Sequence, residues 1–310
     1  MYDTIIIGGG PAGVAAGIYT ARKRLKILVI AEEFGGQSVV SAEIENWIGT
    51  IKISGLELAQ NLETHLRAQE GVEIKSREKG VQVRYLNQPS DGFLVRTDKD
   101  EYKAKTVIVA TGAHRRKLEV PGEKEFDGKG VAYCSTCDAP MFRDKTVAVI
   151  GGGNAGLEAV EDLIPYAKEI YLLVRGDKLK GDPITVEEIK KSDKFKQIIY
   201  NAVVKEIKGD DFVNQIAYIN KKSGQETRLN LDGVFVEIGS IPNSDIVKGL
   251  VDINERGEVV IDHKTSQSSV PGIFAAGDVT DEQYKQNNIS AGDGVKAGLS
   301  AYQYVLRNHK

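Results

Sequence analysis

Cysteine is nearly absent from this chain: there are two among 310 residues, Cys134 and Cys137. Two thiols cannot staple a fold of this length, so a disulfide framework of the secreted kind is excluded. They are also too few for a structural zinc site, and the four histidines, His65, His114, His263 and His309, are scattered without ligand spacing. No metal is therefore expected. Positive charge is not in excess. Lys and Arg number 41 against 44 Asp and Glu, which removes the electrostatic footprint of a nucleic-acid binder. No apolar run approaches the roughly 18 residues needed to span a membrane. The opening MYDTIIIGGG lacks the basic start and long apolar core of a secretory signal. These absences lead us to expect a cytoplasmic protein with neither a nucleic-acid nor a membrane partner. That compartment disfavours a lasting disulfide but allows a cycling one.

What is abundant is glycine, 33 residues of it. A strand from Thr4 to Ile7 runs into Gly8-x-Gly10-x-x-Gly13, a helix pattern follows from Ala12 to about Arg24, and KILVIAEE reads as a second buried strand ending near Glu32. This β-turn-α-β unit carries the dinucleotide-binding signature. It occurs twice. TVAVIGGGNAGLEAVEDL supplies a strand from Val147 to Ile150, then Gly151-x-Gly153-x-x-Gly156 and a helix, with EIYLLVRGD as the second strand. Between the two units, VEIKSREKGVQVRYL, GFLVRTD and EYKAKTVIVATGA read as a small meander returning to the first sheet, and comparable segments follow the second unit. GIFAAGDVTD and the helix pattern AGDGVKAGLSAYQYVLR close the chain. The expected fold is α/β, with two Rossmann-like domains, the second inserted into the first. Turn residues place the boundaries so that 1–114 and 243–310 form one discontinuous dinucleotide-binding domain and 115–242 the inserted one.

Glycines in such a turn let a pyrophosphate approach the backbone amides at a helix start. The end of each second strand then reads the ribose. Nineteen residues after Gly13 stands Glu32, a carboxylate that accepts from ribose hydroxyls and repels a 2′-phosphate. The alternative is a solvated loop carboxylate. Nineteen after Gly156 stands Arg175, which with Lys180 favours a 2′-phosphate and hence NADPH; the alternative is an ordinary basic loop.

GVAYCSTCDAP holds both cysteines three positions apart, with Asp138 beside the second. Two inert thiols in a turn would explain the spacing. A redox dithiol explains it together with the two nucleotide motifs, as a path from nicotinamide to flavin to disulfide.

Taken in order, GGGPAG, FGGQ (34–37), IENWIG (44–49), VIVATGA (107–113), CSTCDAP (134–140), GGGNAG (151–156), FAAGDV (274–279) and YKQNNISAGDG (284–294) resemble the low-molecular-weight thioredoxin reductases. The chain is also similar to the C-terminal reductase portion of the alkyl hydroperoxide reductase flavoprotein. The resemblance covers essentially the whole sequence. It implies FAD held by Gly8, Gly10, Pro11, Ala12, Gly13 and Glu32, with Gly36, Gln37 and Asn46 toward the flavin ring. Ala110, Thr111, Gly112, Gly277, Asp278, Gln286, Ser290 and Ala291 complete that implied site. A nicotinamide nucleotide would lie on Gly151, Gly153, Asn154, Ala155, Gly156, Arg175 and Lys180. The resemblance further implies that Cys137 faces the flavin, that Cys134 attacks the protein substrate, and that Asp138 handles a thiol proton. For Asp138 a turn-capping role is the alternative. It also implies a homodimer, and a rotation of the inserted domain about hinges at His114 to Lys117 and Ile241 to Ser244.

The sequence departs from the family pattern at Val174-Arg175-Gly176. NADPH-using members carry a His-Arg-Arg run there, and NADH-preferring members a glutamate at the position of Val174. NADPH is the expected donor, with NADH open. The peroxide-reductase type has an N-terminal thioredoxin-like extension, whereas this sequence begins at the first strand; electrons are expected to pass to a separate thioredoxin- or glutaredoxin-like protein. Rival readings are an NADH-dependent reductase feeding a peroxiredoxin system, a ferredoxin-linked flavoenzyme and a non-catalytic flavin redox sensor. Ferredoxin oxidoreductases of this fold lack the CxxC, and the intact second glycine motif argues against a ferredoxin donor.

Overall fold

The computed structural model describes residues 1–41, 43–88 and 91–308, so His309 lies outside the described residues. The chain divides into two compact units, Met1–His114 with Ile241–Lys310, and Arg115–Ser240. The second crossing falls between Ser240 and Ile241, slightly before the boundary expected at 243. The reason is that the returning segment is already tied to the first unit. The Asn243 N–H donates to the Gly112 carbonyl at 2.9 Å, its Nδ2 donates to the Thr111 carbonyl at 2.8 Å, and Thr111 Oγ1 donates to its carbonyl at 2.7 Å.

In chain order the first unit opens with β1 (Tyr2–Gly9), α1 (Pro11–Arg22), β2 (Ile27–Phe34), α2 (Gly55–Arg67), β3 (Val72–Ser76), β4 (Gly80–Tyr85), β5 (Phe93–Thr97) and β6 (Glu101–Val109). After the crossing strand β7 (Ala113–Arg115), the second unit holds β8 (Val131–Ala132), α3 (Ser135–Asp138), β9 (Thr146–Ile150), α4 (Asn154–Leu163), β10 (Glu169–Val174) and α5 (Pro183–Lys190). It continues with β11 (Phe195–Tyr200), β12 (Ala202–Gly209), β13 (Val213–Asn220), β14 (Glu226–Asn230) and β15 (Gly233–Val236). The chain returns through β16 (Ser240–Pro242), β17 (Ile261–Asp262), β18 (Gln267–Ser268), β19 (Ile273–Ala275) and α6 (Asn287–Asn308).

The sheet of the first unit runs β17-β18-β19-β6-β1-β2-β3, with β5 attached antiparallel to β6 and β4 antiparallel to β5. VEIKS therefore leaves the expected meander and becomes the parallel edge strand β3 beside β2. Strands covered on both faces read as unbroken apolar runs rather than alternating ones, which accounts for IIIGG and VIV. Ile6 and Ile108 turn toward Val14, Ala16, Ala297 and Ala301 of α1 and α6. Ile5, Ile7, Val107 and Val109 face the other way, against Val83, Phe93, Val95 and Val259. The helix α6 begins at Asn287, four residues ahead of its apolar periodicity, because the added turn is polar and carries no such signal.

In the second unit the parallel sheet β11-β10-β9-β15-β8 repeats the plan, and the meander β12-β13-β14 stands as a separate antiparallel sheet. α4 covers one face of the parallel sheet through Leu157, Val160 and Leu163. Tyr218, Ile216 and Val204 of the meander join the cluster that contains Ala148 and Val234.

Each motif's last glycine is set by packing. A Cβ on Gly13 would stand 1.9 Å from the Gly8 carbonyl oxygen, and one on Gly156 would stand 2.2 Å from that of Gly151. Around Gly10 nothing lies within 4 Å. Gly13→Ala should therefore cost about 1–3 kcal/mol, while Gly10→Ala should change stability by no more than about 0.5 kcal/mol. Urea unfolding of the two variants checks this. Equal midpoints would contradict the packing argument.

Candidate active site

The first glycine turn opens onto a cavity of about 490 Å³ contained within the first unit. Its walls include Gly8, Gly10, Pro11, Ala12, Glu32, Gly36, Gln37, Ala110, Thr111, Gly112, Gly277, Asp278 and Ser290. Gly8 holds φ +128°, and a Cβ there would collide with the Ala110 oxygen at 2.0 Å, so both backbone and space require glycine. Gly10 has extended backbone and open space where a side chain would start. Glu32 ends the buried part of β2 with an exposed carboxylate, 3.4 Å from Lys79 Nζ. An uncovered glycine at a helix start, with an acceptor at the end of the next strand, is the donor set and space that an adenosine diphosphate moiety needs.

Gly13 does not line this cavity; it lies beneath the turn as a packing residue. Asn46, Gln286 and Ala291 are not among the lining residues either. Asn46 and Gln286 do meet, Nδ2 to Oε1 at 3.4 Å, and Asn288 Nδ2 donates to the Asn46 carbonyl at 2.7 Å. Asp278 Oδ1 accepts from Ser290 Oγ at 3.1 Å, which joins the AAGD turn to the start of α6. Trp47 is partly buried and packs against the cluster of Ile44, Ile53 and Leu58. Sequence reasoning missed Glu78, Lys79, Gly80, Val81, Asn243 and Asp245 in the cavity wall. They carry no motif, and chain topology alone brings them there.

The second turn has the same geometry. Gly151 takes φ +147° with the Glu237 oxygen 2.2 Å from its would-be Cβ, and Gly153 faces open space. Asn154 Oδ1 accepts from the Asp182 N–H at 2.8 Å, which secures the loop after β10. Ala155 shares the exposed first turn of α4 with Asn154. Val174 is buried beneath Gly152, so its side chain faces the turn and not solvent. Arg175 and Lys180 are both exposed, and the Lys180 N–H donates to the Gly152 carbonyl at 2.7 Å. Lys178, also exposed, is a third cation on this loop that the spacing argument did not single out.

Cys134 and Cys137 form a disulfide with Cα atoms 5.3 Å apart across α3. The residues between them are held by Asp162 of α4, whose Oδ2 accepts from Ser135 Oγ at 2.8 Å and from Thr136 Oγ1 at 3.1 Å. The N–H of Ser135 donates at 3.3 Å to Oε1 of Glu237, a buried residue just past β15. Beside the pair, burial pushes the Asp138 carboxyl up to about 6; Arg115 pulls it down and Asp127 adds to the rise. Asp162 and Glu237 were not legible because each is a lone acid whose partner is distant in sequence. Among the described residues no cluster of His, Cys, Asp and Glu could hold a metal ion, and no helix is long and apolar enough to cross a membrane.

Two parallel-sheet units with matching glycine turns and one cysteine disulfide define a class: flavin- and nicotinamide-linked disulfide chemistry on Rossmann-like folds. The profile of the family described as pyridine nucleotide-disulphide oxidoreductase matches residues 2–294, and the chain belongs to that family. It is 42% identical over 308 residues to a Bacillus subtilis (strain 168) protein named NADH dehydrogenase. The identity is also 42% to an alkyl hydroperoxide reductase component of Staphylococcus aureus (strain Mu50 / ATCC 700699). Those matches take in 99% of this chain but only 59% and 60% of the relatives, so the chain spans less than two thirds of their length. Among solved structures, the thioredoxin reductase from Streptococcus pyogenes MGAS5005 superposes with a TM-score of 0.90 at 38% identity, covering 99% of both chains. The thioredoxin reductase from Giardia duodenalis gives 0.89 at 33% identity, covering 98% of this chain and 99% of that one. The protein is thus a member of the pyridine nucleotide-disulphide oxidoreductase family whose fold is similar to that of solved thioredoxin reductases.

The raised Asp138 fixes a stability signature. A carboxyl that titrates at about 6 when folded and near 3.8 when unfolded binds more protons in the folded state between those values. Its ionisation therefore removes stability as pH rises through that window, and the cost persists above it. Asp138→Asn should leave the melting temperature nearly unchanged near pH 4 and raise it above pH 6. Thermal melts across pH check the sign, and a variant advantage confined to low pH would contradict it.

Proposed function

We propose that this protein is an FAD enzyme that carries electrons from a nicotinamide nucleotide, through the Cys134–Cys137 disulfide, to a thioredoxin- or glutaredoxin-like protein. The observation that carries this reading is the disulfide itself, bracketed by a raised carboxyl in a unit that also holds a dinucleotide-type turn. In this reading the first unit binds FAD and the second binds the nucleotide. A flavin, when bound, supplies the means to pass an electron pair between a nicotinamide and a disulfide.

The residues of the chain then act as follows. Opening the Cys134–Cys137 bond takes up two electrons, and Asp138, poised near neutrality, gives a proton to one sulfur. The other sulfur remains a thiolate and is the attacking species. Cys134 is that attacker in this reading, and Asp138 takes the proton back when the disulfide re-forms. A dithiol that cycles in this way suits a reducing compartment such as the cytoplasm.

Arg175, Lys178 and Lys180 support NADPH, since an exposed cationic loop can receive a 2′-phosphate. The second reading, an NADH-dependent reductase serving a peroxiredoxin system, is supported by the 42% identity to the alkyl hydroperoxide reductase component. Anaerobic mixing of the yellow protein with NADPH, and separately with NADH, distinguishes them by flavin bleaching. We expect fast bleaching with NADPH, and in Arg175→Gln a roughly tenfold weaker affinity for NADPH with NADH unchanged. Cys137→Ser should bleach yet fail to reduce any disulfide protein. Fast bleaching with NADH alone favours the second reading, and none with either nucleotide overturns the assignment of the second unit.

A homodimer is part of this proposal. Within the apolar stretch from 44 to 53, Ile44 and Ile53 are core, whereas Ile48 and Ile51 are 82% and 95% exposed, and just beyond it Leu56 is 57% exposed. Core packing therefore explains only half of the stretch, and the remainder fits a covered surface. Sedimentation velocity should show a dimer that Ile51→Asp shifts to monomer. A wild-type monomer at micromolar concentration would remove this part.

A further inference from the structure

Glu237 takes no part in the scheme above, yet it occupies a singular place in the second unit. It follows β15, where the Glu237 N–H donates to the Ile150 carbonyl at 2.9 Å. Its own carbonyl lies against the glycine turn at Gly151. Its side chain reaches Ser135, the residue directly after Cys134, and accepts from that amide at 3.3 Å. One acid thus joins the nucleotide-type turn to the backbone of the dithiol. The residue is 8% exposed, so its carboxylate lacks the hydration that would make ionisation inexpensive.

We propose that Glu237 is a positioning residue for the dithiol, a buried carboxyl whose protonation state sets the reactivity of Cys134. This deepens the disulfide-reductase reading and rests on it for its biological meaning. The physical argument is local. When Glu237 carries its proton, the amide beside Cys134 is held by a neutral acceptor, and a thiolate at Cys134 meets no opposing charge from this side. When it ionises, a negative charge one peptide unit away opposes that thiolate in a poorly hydrated site. Burial pushes this carboxyl up to about 7; Arg115 and the Ser135 hydrogen bond pull it back, while Asp162 and Asp138 add to the rise. Those are the charged groups around it: Arg115 from β7, Asp162 from α4 and Asp138 from α3. The switch therefore falls within the working range of a thiol enzyme.

The test isolates one thiol. Because the chain has two cysteines, Cys137→Ser leaves Cys134 alone. Its rate of alkylation by iodoacetamide is measured from pH 5 to 10 in this background, with and without Glu237→Gln. Glutamine keeps the acceptor for Ser135 and removes the charge. We expect the Glu237→Gln protein to react roughly 3- to 10-fold faster near pH 8 and at the same rate as its parent near pH 5.5. The parent profile should depart from a single titration, with a slowing between about pH 6 and 8 that the Glu237→Gln profile lacks. Superimposable profiles would overturn the proposal. So would a parent profile that fits one group, a result that stands even if the variant fails to fold. The assay uses neither nucleotide nor protein substrate, so its outcome is independent of the bleaching experiment.

Discussion

Both candidate sites depend on one close approach, between a helix and the turn that precedes it. At Gly13 the missing Cβ would overlap the Gly8 carbonyl, and at Gly156 that of Gly151. This contact fixes the helix start against the strand end, so that the middle glycine faces open space with free amides. If the helix backed away to admit a side chain, the amides would turn out of register with the acceptor at the end of the second strand. The glycines thus divide their labour: the first and last are dictated by protein packing, and the middle one is left uncovered for something that is not protein.

That division also explains what could be read in advance. The two β-turn-α-β units were legible because their signals are local: a buried strand, spaced glycines and a helix period. The dithiol was legible because cysteine is so scarce here. Other features are products of topology. β3 looked like part of a meander, since periodicity cannot say which neighbour a strand will choose. Glu78 and Asn243 reach the first cavity from distant segments, and the Asn46–Gln286 contact closes across most of the chain. Ile48 and Ile51 read the same as Ile44 and Ile53 until the bridge between Ile44 and Ile53 shows which pair points inward.

The carboxyls around the disulfide show why local reading stops short of chemistry. Asp138, Asp162 and Glu237 are ordinary acids in the sequence. Their differences come from hydration and partners. Asp162 accepts two hydroxyl hydrogen bonds and serves as an anchor for the Ser135–Thr136 pair. Asp138 and Glu237 are raised mainly by burial, and both are restrained by the same arginine, Arg115. Burial favours the protonated form of both carboxyls, and Arg115 favours the ionised form of both. The balance between desolvation and one shared cation holds them near the pH at which thiols exchange protons.

Arg115 stands at the first residue of the second unit, on the strand by which the chain crosses between units. The group that tunes the two carboxyls is therefore also the group nearest the crossing. Its neighbour Arg116 is fixed to the second unit, with its N–H donating to the Gly239 carbonyl at 3.0 Å. On the other side, His114 Nδ1 meets Asn243 Oδ1 at 2.9 Å within the first unit. Arg115 thus belongs to the same unit as the two carboxyls that it restrains.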